Sequence, residues 1–165
     1  MGKENKTSSS IMNSGKDVHT PALHGVDPVG YPVVRVAHSR KVMKGEDKSF
    51  ATPDVTWKGV HFSVYGLFDG HGGKAAAEHC VDTLVPCILA ALDTPGAVPA
   101  GVDPEDVFEE RVPRALVDAF AASDAEFLKR DIHSGATATV VVINGRNITS
   151  AAVGDSLATL DVGHG

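Results

Sequence analysis

The sequence predicts an α+β domain, and three observations carry that reading. A short apolar run, Val60 to Phe68, is bounded by turn residues in the manner of a buried strand. Two stretches with apolar residues every three or four positions follow, the period of an amphipathic helix. The pattern then changes to β-branched residues, Thr137-Ala-Thr-Val-Val-Val-Ile143, next to an Asn-Gly turn. Strands, then helices, then strands again argue for segregated rather than alternating elements.

Taken in order, residues 1 to about 30 are Lys-, Ser-, Asn- and Gly-rich without periodicity and read as a flexible tail, leaving 31–165 for the domain. Val33 to Ala37 suits a first strand, followed by a charged stretch, Ser39 to Lys48, with a glycine inside it. Phe50 to Pro53 and Val60 to Phe68 read as strands joined by a turn near Trp57-Lys-Gly. Gly73 to Leu92 is the clearest helix, with Ala77, Val81, Leu84, Ile88 and Leu92 on one face, and Pro86 is expected to kink or split it. A Pro- and Gly-rich loop over 93–104 leads into a second helix reaching about Arg130. Phe108, Val112, Leu116, Phe120 and Phe127 line its apolar side, and Pro113 marks a break. Asn144-Gly-Arg-Asn147 is a hairpin turn, Ile148 to Val153 the returning strand, Gly154-Asp-Ser156 a tight turn, and Leu157 to Val162 the start of another strand.

The chain has 165 residues, about one domain, with 21 acids against 15 bases and a net charge of −6. No basic run stands out, so nucleic acid is not an expected partner, and the acidic excess favours cations. The N-terminus lacks the apolar segment of a signal peptide, and no run of 18 apolar residues occurs. No membrane partner is expected, and cytoplasm, nucleus or both is the default setting. Lys6 stands where the myristoylation pattern requires Ser or Thr. The sequons at Asn5 and Asn147 need the secretory route and carry no weight in that setting. Cys80 and Cys87 on one helix would lie roughly 10 Å apart by helical rise, beyond disulfide reach, and read as core filler.

The stretch Val64-Tyr-Gly-Leu-Phe-Asp-Gly-His-Gly-Gly73 organises the rest. An apolar strand delivers Asp69 to a glycine turn that also carries His71. Gly70, Gly72 and Gly73 permit close backbone approaches that a side chain would block. A carboxylate, bare carbonyl oxygens and an imidazole on one turn suit a metal-dependent site. Glu46-Asp47, in a turn upstream, is a second acidic centre; hard cations such as Mg²⁺ or Mn²⁺ take carboxylates from separate loops, though a solvated charged turn has the same composition. Gly70-His-Gly-Gly-Lys-Ala75 also satisfies the G-x-G-x-x-A dinucleotide pattern. Against that remote alternative, the following helix leads to another helix instead of a parallel strand, and Asp69 would face a pyrophosphate. The remaining histidines, His61, His79 and His133 among them, show no ligand spacing, and no HExxH or CxxC pattern occurs.

Lys44-Gly-Glu-Asp47, Asp69-Gly-His-Gly-Gly73, Ser134-Gly-Ala-Thr-Ala138 and Gly154-Asp-Ser156 occur in the order seen in the metal-dependent protein phosphatases of type 2C, and the lysine-glycine step before Glu46 resembles plant-type members. The resemblance covers roughly residues 33 to 162. It implies a partial sandwich of antiparallel sheets flanked by helix pairs, and hydrolysis of phosphoserine and phosphothreonine in proteins by a metal-activated water. Two Mn²⁺ or Mg²⁺ ions are implied, with Asp69 bridging them and the Gly70 carbonyl a further ligand. Glu46 and Asp47 would hold metal-bound waters, Thr137 would lie near that water network, and Asp155 would serve a weaker third metal. His71 would be the general acid protonating the leaving oxygen. Phosphoprotein substrates and a regulatory protein partner follow from the same resemblance.

Two departures from the family pattern qualify the expectation. Where the family has a phosphate-binding arginine before its glutamate-aspartate pair, Met43 or Lys44 lies nearest, with Arg40 and Lys41 further back, so no residue is assigned. The family's later aspartates and later strands have no counterpart before Gly165, so the chain is expected to be an N-terminal portion with exposed strand edges. A truncated, catalytically inactive phosphatase-like binding protein, or an incomplete gene product, is the alternative.

Overall fold

The computed structural model describes residues 17–19, 34, 37–40 and 45–163. In chain order its elements are β1 (Asp17–His19), β2 (His38–Arg40), β3 (Lys48–Trp57), β4 (Val60–Phe68), β5 (Gly70–His71), α1 (Ala75–Asp93), α2 (Pro104–Phe127), a 3₁₀ turn (Leu128–Arg130), β6 (Gly135–Ala136), β7 (Ala138–Asn144) and β8 (Asn147–Val153). The fold is α+β. A four-stranded sheet runs in the order β3-β4-β7-β8, while β1 with β2 and β5 with β6 form separate pairs. Every pairing among the described residues is antiparallel, so the βαβ unit of the dinucleotide alternative is not built. The tail expected over 1–30 and the strand expected at 33–37 fall mostly outside the described residues.

Alternation along β4 explains how the sheet meets the helices. Val60, Phe62, Val64 and Phe68 are buried while His61 and Leu67 are exposed, the period-two pattern of a strand with one covered face. Val140 and Val142 of β7 extend the same buried face. Against it pack Leu84, Ile88 and Leu92 of α1 and Phe108, Val112 and Leu116 of α2. The Phe108 ring lies 4.7 Å from that of Phe62 and 6.1 Å from that of Trp57, centroid to centroid. The opposite face is more open, with Leu67 at 48% and Ile148 at 49% exposure.

Both hairpins use the turn chemistry their strands require. Lys58 and Gly59 have φ of +50° and +90°, the doubly positive turn whose twist matches flanking strands. In the second hairpin Asn144 pairs with Asn147, so Gly145, at φ +54°, takes the first central position. Asn144 is thereby freed to be buried in the strand, its side-chain amide donating to the His61 carbonyl at 3.0 Å.

Three expectations need correction. The first sheet strand is longer than Phe50–Pro53, because the ladder crosses the proline through a register shift between Thr52 and Val55. Proline cannot donate to a ladder, and a bulge is where a strand tolerates it. α1 and α2 run unbroken through Pro86 and Pro113, both exposed, so neither proline splits its helix; the buried residues flanking each hold the helix against the core. Residues 157–162 form no strand: Leu157, Leu160 and Val162 are exposed, and among the described residues no strand pairs with them. As expected, no unbroken run of 18 apolar residues exists, yet α1 is long and apolar enough to cross a membrane, with mean hydropathy 1.4. Its Ala77, Leu84, Ile88 and Leu92 stripe belongs to the core shared with α2 and the sheet, the arrangement of a core helix. The two cysteines sit half-buried and free on this helix, as expected. Burial raises the pKa of each thiol, with Asp124 adding to the effect at Cys80 and Glu126 at Cys87.

Removing the ring that joins sheet to helices should be costly. Phe108→Ala is expected to lower stability by about 3–5 kcal/mol, read as a lower midpoint in urea unfolding.

Candidate functional site

The site lies where β4 ends. Gly66 lets the strand pass beneath two rings, since a Cβ there would stand 2.6 Å from Phe50 and 2.8 Å from Phe68. Phe68 is fully buried and Asp69, the next residue, is exposed, so the strand hands its acid to solvent at one end of the sheet. β5 follows at once and pairs with β6, Gly70 opposite Ala136 and His71 opposite Gly135. Gly72 and Gly73, at φ +67° and +116°, then reverse the chain into α1. These left-handed values explain why the helix begins at Ala75 rather than at Gly73.

Contacts from distant parts of the chain fasten this turn. The Thr137 amide donates to the Asp69 carbonyl at 2.9 Å, and the Asp69 amide donates to Thr137 Oγ1 at 3.3 Å. Thr137 Oγ1 also lies 2.7 Å from Ser156 Oγ, which ties in the Gly154–Ser156 turn. On the other side, the Gly73 amide donates to Glu46 Oε1 at 2.8 Å, and the Ala76 amide donates to Ser134 Oγ at 3.0 Å. Lys74, at the start of α1, makes no side-chain cap. Ser134 therefore supplies from afar the acceptor that a local N-cap would offer, while Glu46 holds the glycine turn just ahead of the helix.

Close packing explains two glycines. At Gly70 a Cβ would stand 2.5 Å from the Glu46 carbonyl oxygen, and at Gly135 one would stand 2.4 Å from His71 Nε2. The imidazole thus lies directly over Gly135. Beside the turn, Lys48 and Lys74 converge on Glu78 at 3.2 and 3.0 Å. Hydrogen bonds from Lys74 and then Lys48 hold the Glu78 carboxyl below its ordinary pKa.

The structure therefore brings together Glu46, Asp69, Gly70, His71 and Thr137, with Asp47 half-buried next to Glu46. Asp155 is exposed on its turn, and its neighbour Ser156 makes the contact to Thr137. Of the basic candidates upstream, Lys41, Met43 and Lys44 lie outside the described residues and Arg40 belongs to β2. Ser134 and Ser156 stood inside recognised motifs without an assigned role; their signal was a hydroxyl beside a glycine turn, which local hydrogen bonding explains equally well.

An all-oxygen set of carboxylates and a backbone carbonyl suits a hard divalent cation by chemistry. By number it is incomplete: among the described residues no three His, Cys, Asp or Glu side chains gather as a metal cluster. One carboxylate oxygen of Glu46 is already committed to the Gly73 amide.

Residues 33–162 match the family model described as Protein phosphatase 2C. Among similar proteins, Probable protein phosphatase 2C 15 of Arabidopsis thaliana is 38% identical over 134 residues, covering 79% of this chain and 29% of that protein. Its namesake in Oryza sativa subsp. japonica is 40% identical with the same coverage. Probable protein phosphatase 2C 5 of Arabidopsis thaliana is 35% identical over 139 residues, 82% of this chain and 31% of that protein. The match over residues 33–162 and the likeness to these relatives define the class: the chain belongs to the protein phosphatase 2C family. It spans about three-tenths of the length of these curated relatives.

The two packed glycines give separable expectations. Gly70→Ala drives a methyl into backbone and is expected to cost about 1–3 kcal/mol in urea unfolding. Gly135→Ala meets a side chain that can swing away, so a smaller loss is expected, together with displaced His71 ring resonances in NMR spectra.

Proposed function

We propose that this chain forms part of a metal-dependent phosphatase acting on phosphoserine and phosphothreonine in proteins. The supporting observation is the convergence of Glu46, Asp69 to Gly73, Ser134 to Thr137 and Ser156 on one end of the sheet, joined by hydrogen bonds of 2.7 to 3.3 Å. In this reading Asp69 and the Gly70 carbonyl would hold Mn²⁺ or Mg²⁺, Glu46 and Asp47 would hold water beside it, and Asp155 would serve a weaker third ion. A bound ion of this kind supplies positive charge against the phosphoryl group and lowers the pKa of water. The chain's own residues do the rest. Glu46, fixed through one oxygen by the Gly73 amide, has its second oxygen left to orient water. The exposed His71, seated on Gly135, delivers a proton to the departing serine or threonine oxygen. Thr137 keeps Asp69 in place through both backbone and hydroxyl. A cytoplasmic or nuclear setting and a regulatory protein partner belong to the same proposal.

A second reading, a phosphatase-like chain that binds without turnover, draws on the incomplete ligand set among the described residues.

The test is hydrolysis of a phosphothreonine peptide by residues 1–165 with and without Mn²⁺. Turnover that requires Mn²⁺ and falls to background in Asp69→Asn is the expected result. Glu46→Gln keeps an oxygen for the Gly73 amide and is expected to lose about 10–100-fold in activity or metal affinity. Folded protein that binds Mn²⁺ and shows no turnover would establish the second reading instead.

A further inference from the structure

A cavity of about 240 Å³ lies between α1, α2 and the ends of β6, β7 and β8. Two helix faces build most of it. Ala76, Cys80 and Leu84 of α1 line it at intervals of four, and Phe120, Asp124 and Phe127 of α2 at intervals of four and three, so each set looks one way. Ala138 and Val153 close the sheet side. Leu128 and Val153 are 71% and 54% exposed, and Asp124 is exposed as well, so these three belong to its mouth. The Leu128 amide donates to the Asp124 carbonyl, which keeps their side chains on adjoining turns of one face.

Among the described residues that line the cavity, Asp124 is the one acid, and none is Lys or Arg. Other acids of α2 are paired, Asp118 with Arg114 at 2.9 Å and Glu126 with Arg130 at 3.5 Å. The Asp124 carboxylate has no hydrogen-bond or ion-pair partner among the described residues. Its charge reaches into the cavity. After burial, the nearby Asp124 carboxylate is the second cause that raises the Cys80 thiol above its ordinary pKa, and Cys80 is itself a lining residue.

Space and charge together select an occupant. A cavity of about 150 Å³ lined by aliphatic and aromatic side chains accepts benzene, so the volume here admits a ring with a short chain. By helical rise Asp124 lies about 6 Å along the axis from Phe120, the reach of a two-carbon chain beyond a ring. A molecule ending in an ammonium group gains an opposite charge at the wet mouth while its ring leaves water; an anion meets repulsion there. We propose that this cavity binds a small arylalkylamine, with the ring against Leu84 and Phe120 and the ammonium group paired with the Asp124 carboxylate at the mouth. His71 and Gly135 line the same cavity, so the occupant lies beside the β5–β6 pair. Binding stands independently of the phosphatase proposal.

The test is an NMR titration of isotope-labelled residues 1–165 with 2-phenylethylamine and, separately, with 2-phenylethanol, which has the same ring and chain and a neutral end. The amine is expected to bind saturably and about three- to fivefold more tightly, the advantage of a solvent-exposed ion pair. It should shift the Cys80 and Asp124 amides and show intermolecular NOEs to Leu84 and Phe120. In Asp124→Asn both probes should bind equally, and molar salt should narrow the difference in the unmodified chain. Equal affinity of the two probes in the unmodified chain, no saturable shift, NOEs to residues outside this cavity, or an amine advantage that survives in Asp124→Asn would each overturn the proposal. Asp124 is exposed and its side chain makes no contact of its own, so the variant is expected to fold, which its own amide spectrum checks.

Discussion

The pairing of β4 with β7 is the constraint on which the rest of the molecule depends. Its register sets Leu67 opposite Thr139 and Val64 opposite Val142. Continued past the strand ends, the same alignment brings Asp69 beside Thr137 and His71 beside Gly135. A slip of one residue would turn Val64 and Phe68 outward and Leu67 inward, since side chains alternate faces. It would also separate the acid from its threonine. Core and site therefore obey one register, and the buried alternation of β4 enforces it.

The start of α1 shows the same economy from the helix side. A helix leaves its first amide hydrogens without partners, and most sequences answer with a local Ser, Thr, Asp or Asn. α2 does so, with Asp103 accepting from the Glu105 amide at 2.9 Å and Pro104 beginning the helix. α1 does not. Its Ala76 amide turns to Ser134, and the Gly73 amide just before the helix turns to Glu46, from two other loops. The helix start is thus a clasp that holds three segments of the site together, and Lys48, Lys74 and Glu78 tighten its exposed side.

Much of this was legible in the sequence, and the gaps have physical causes. β4 was read to the residue because its alternation runs unbroken between glycine turns. The helix faces were read correctly because burial follows their period. Pro53, Pro86 and Pro113 misled, since proline reports a missing donor and not whether packing or a bulge absorbs the loss. Leu157 to Val162 looked like a strand because composition shows propensity and not whether a partner edge exists. At the site, the acids and His71 were visible as chemistry. The bond from the Gly73 amide to Glu46 and the seat of His71 on Gly135 were not, because each joins residues far apart in sequence through space.

The contact between Asp69 and Thr137 has a consequence for how the molecule comes into being. The two residues are 68 apart in sequence, with both helices between them. Closing a loop of that length costs about 4 kcal/mol of chain entropy beyond a constant. The acid-and-threonine pair thus exists only in molecules that have closed the loop, and its formation reports the completion of the fold, not the stability of any single element.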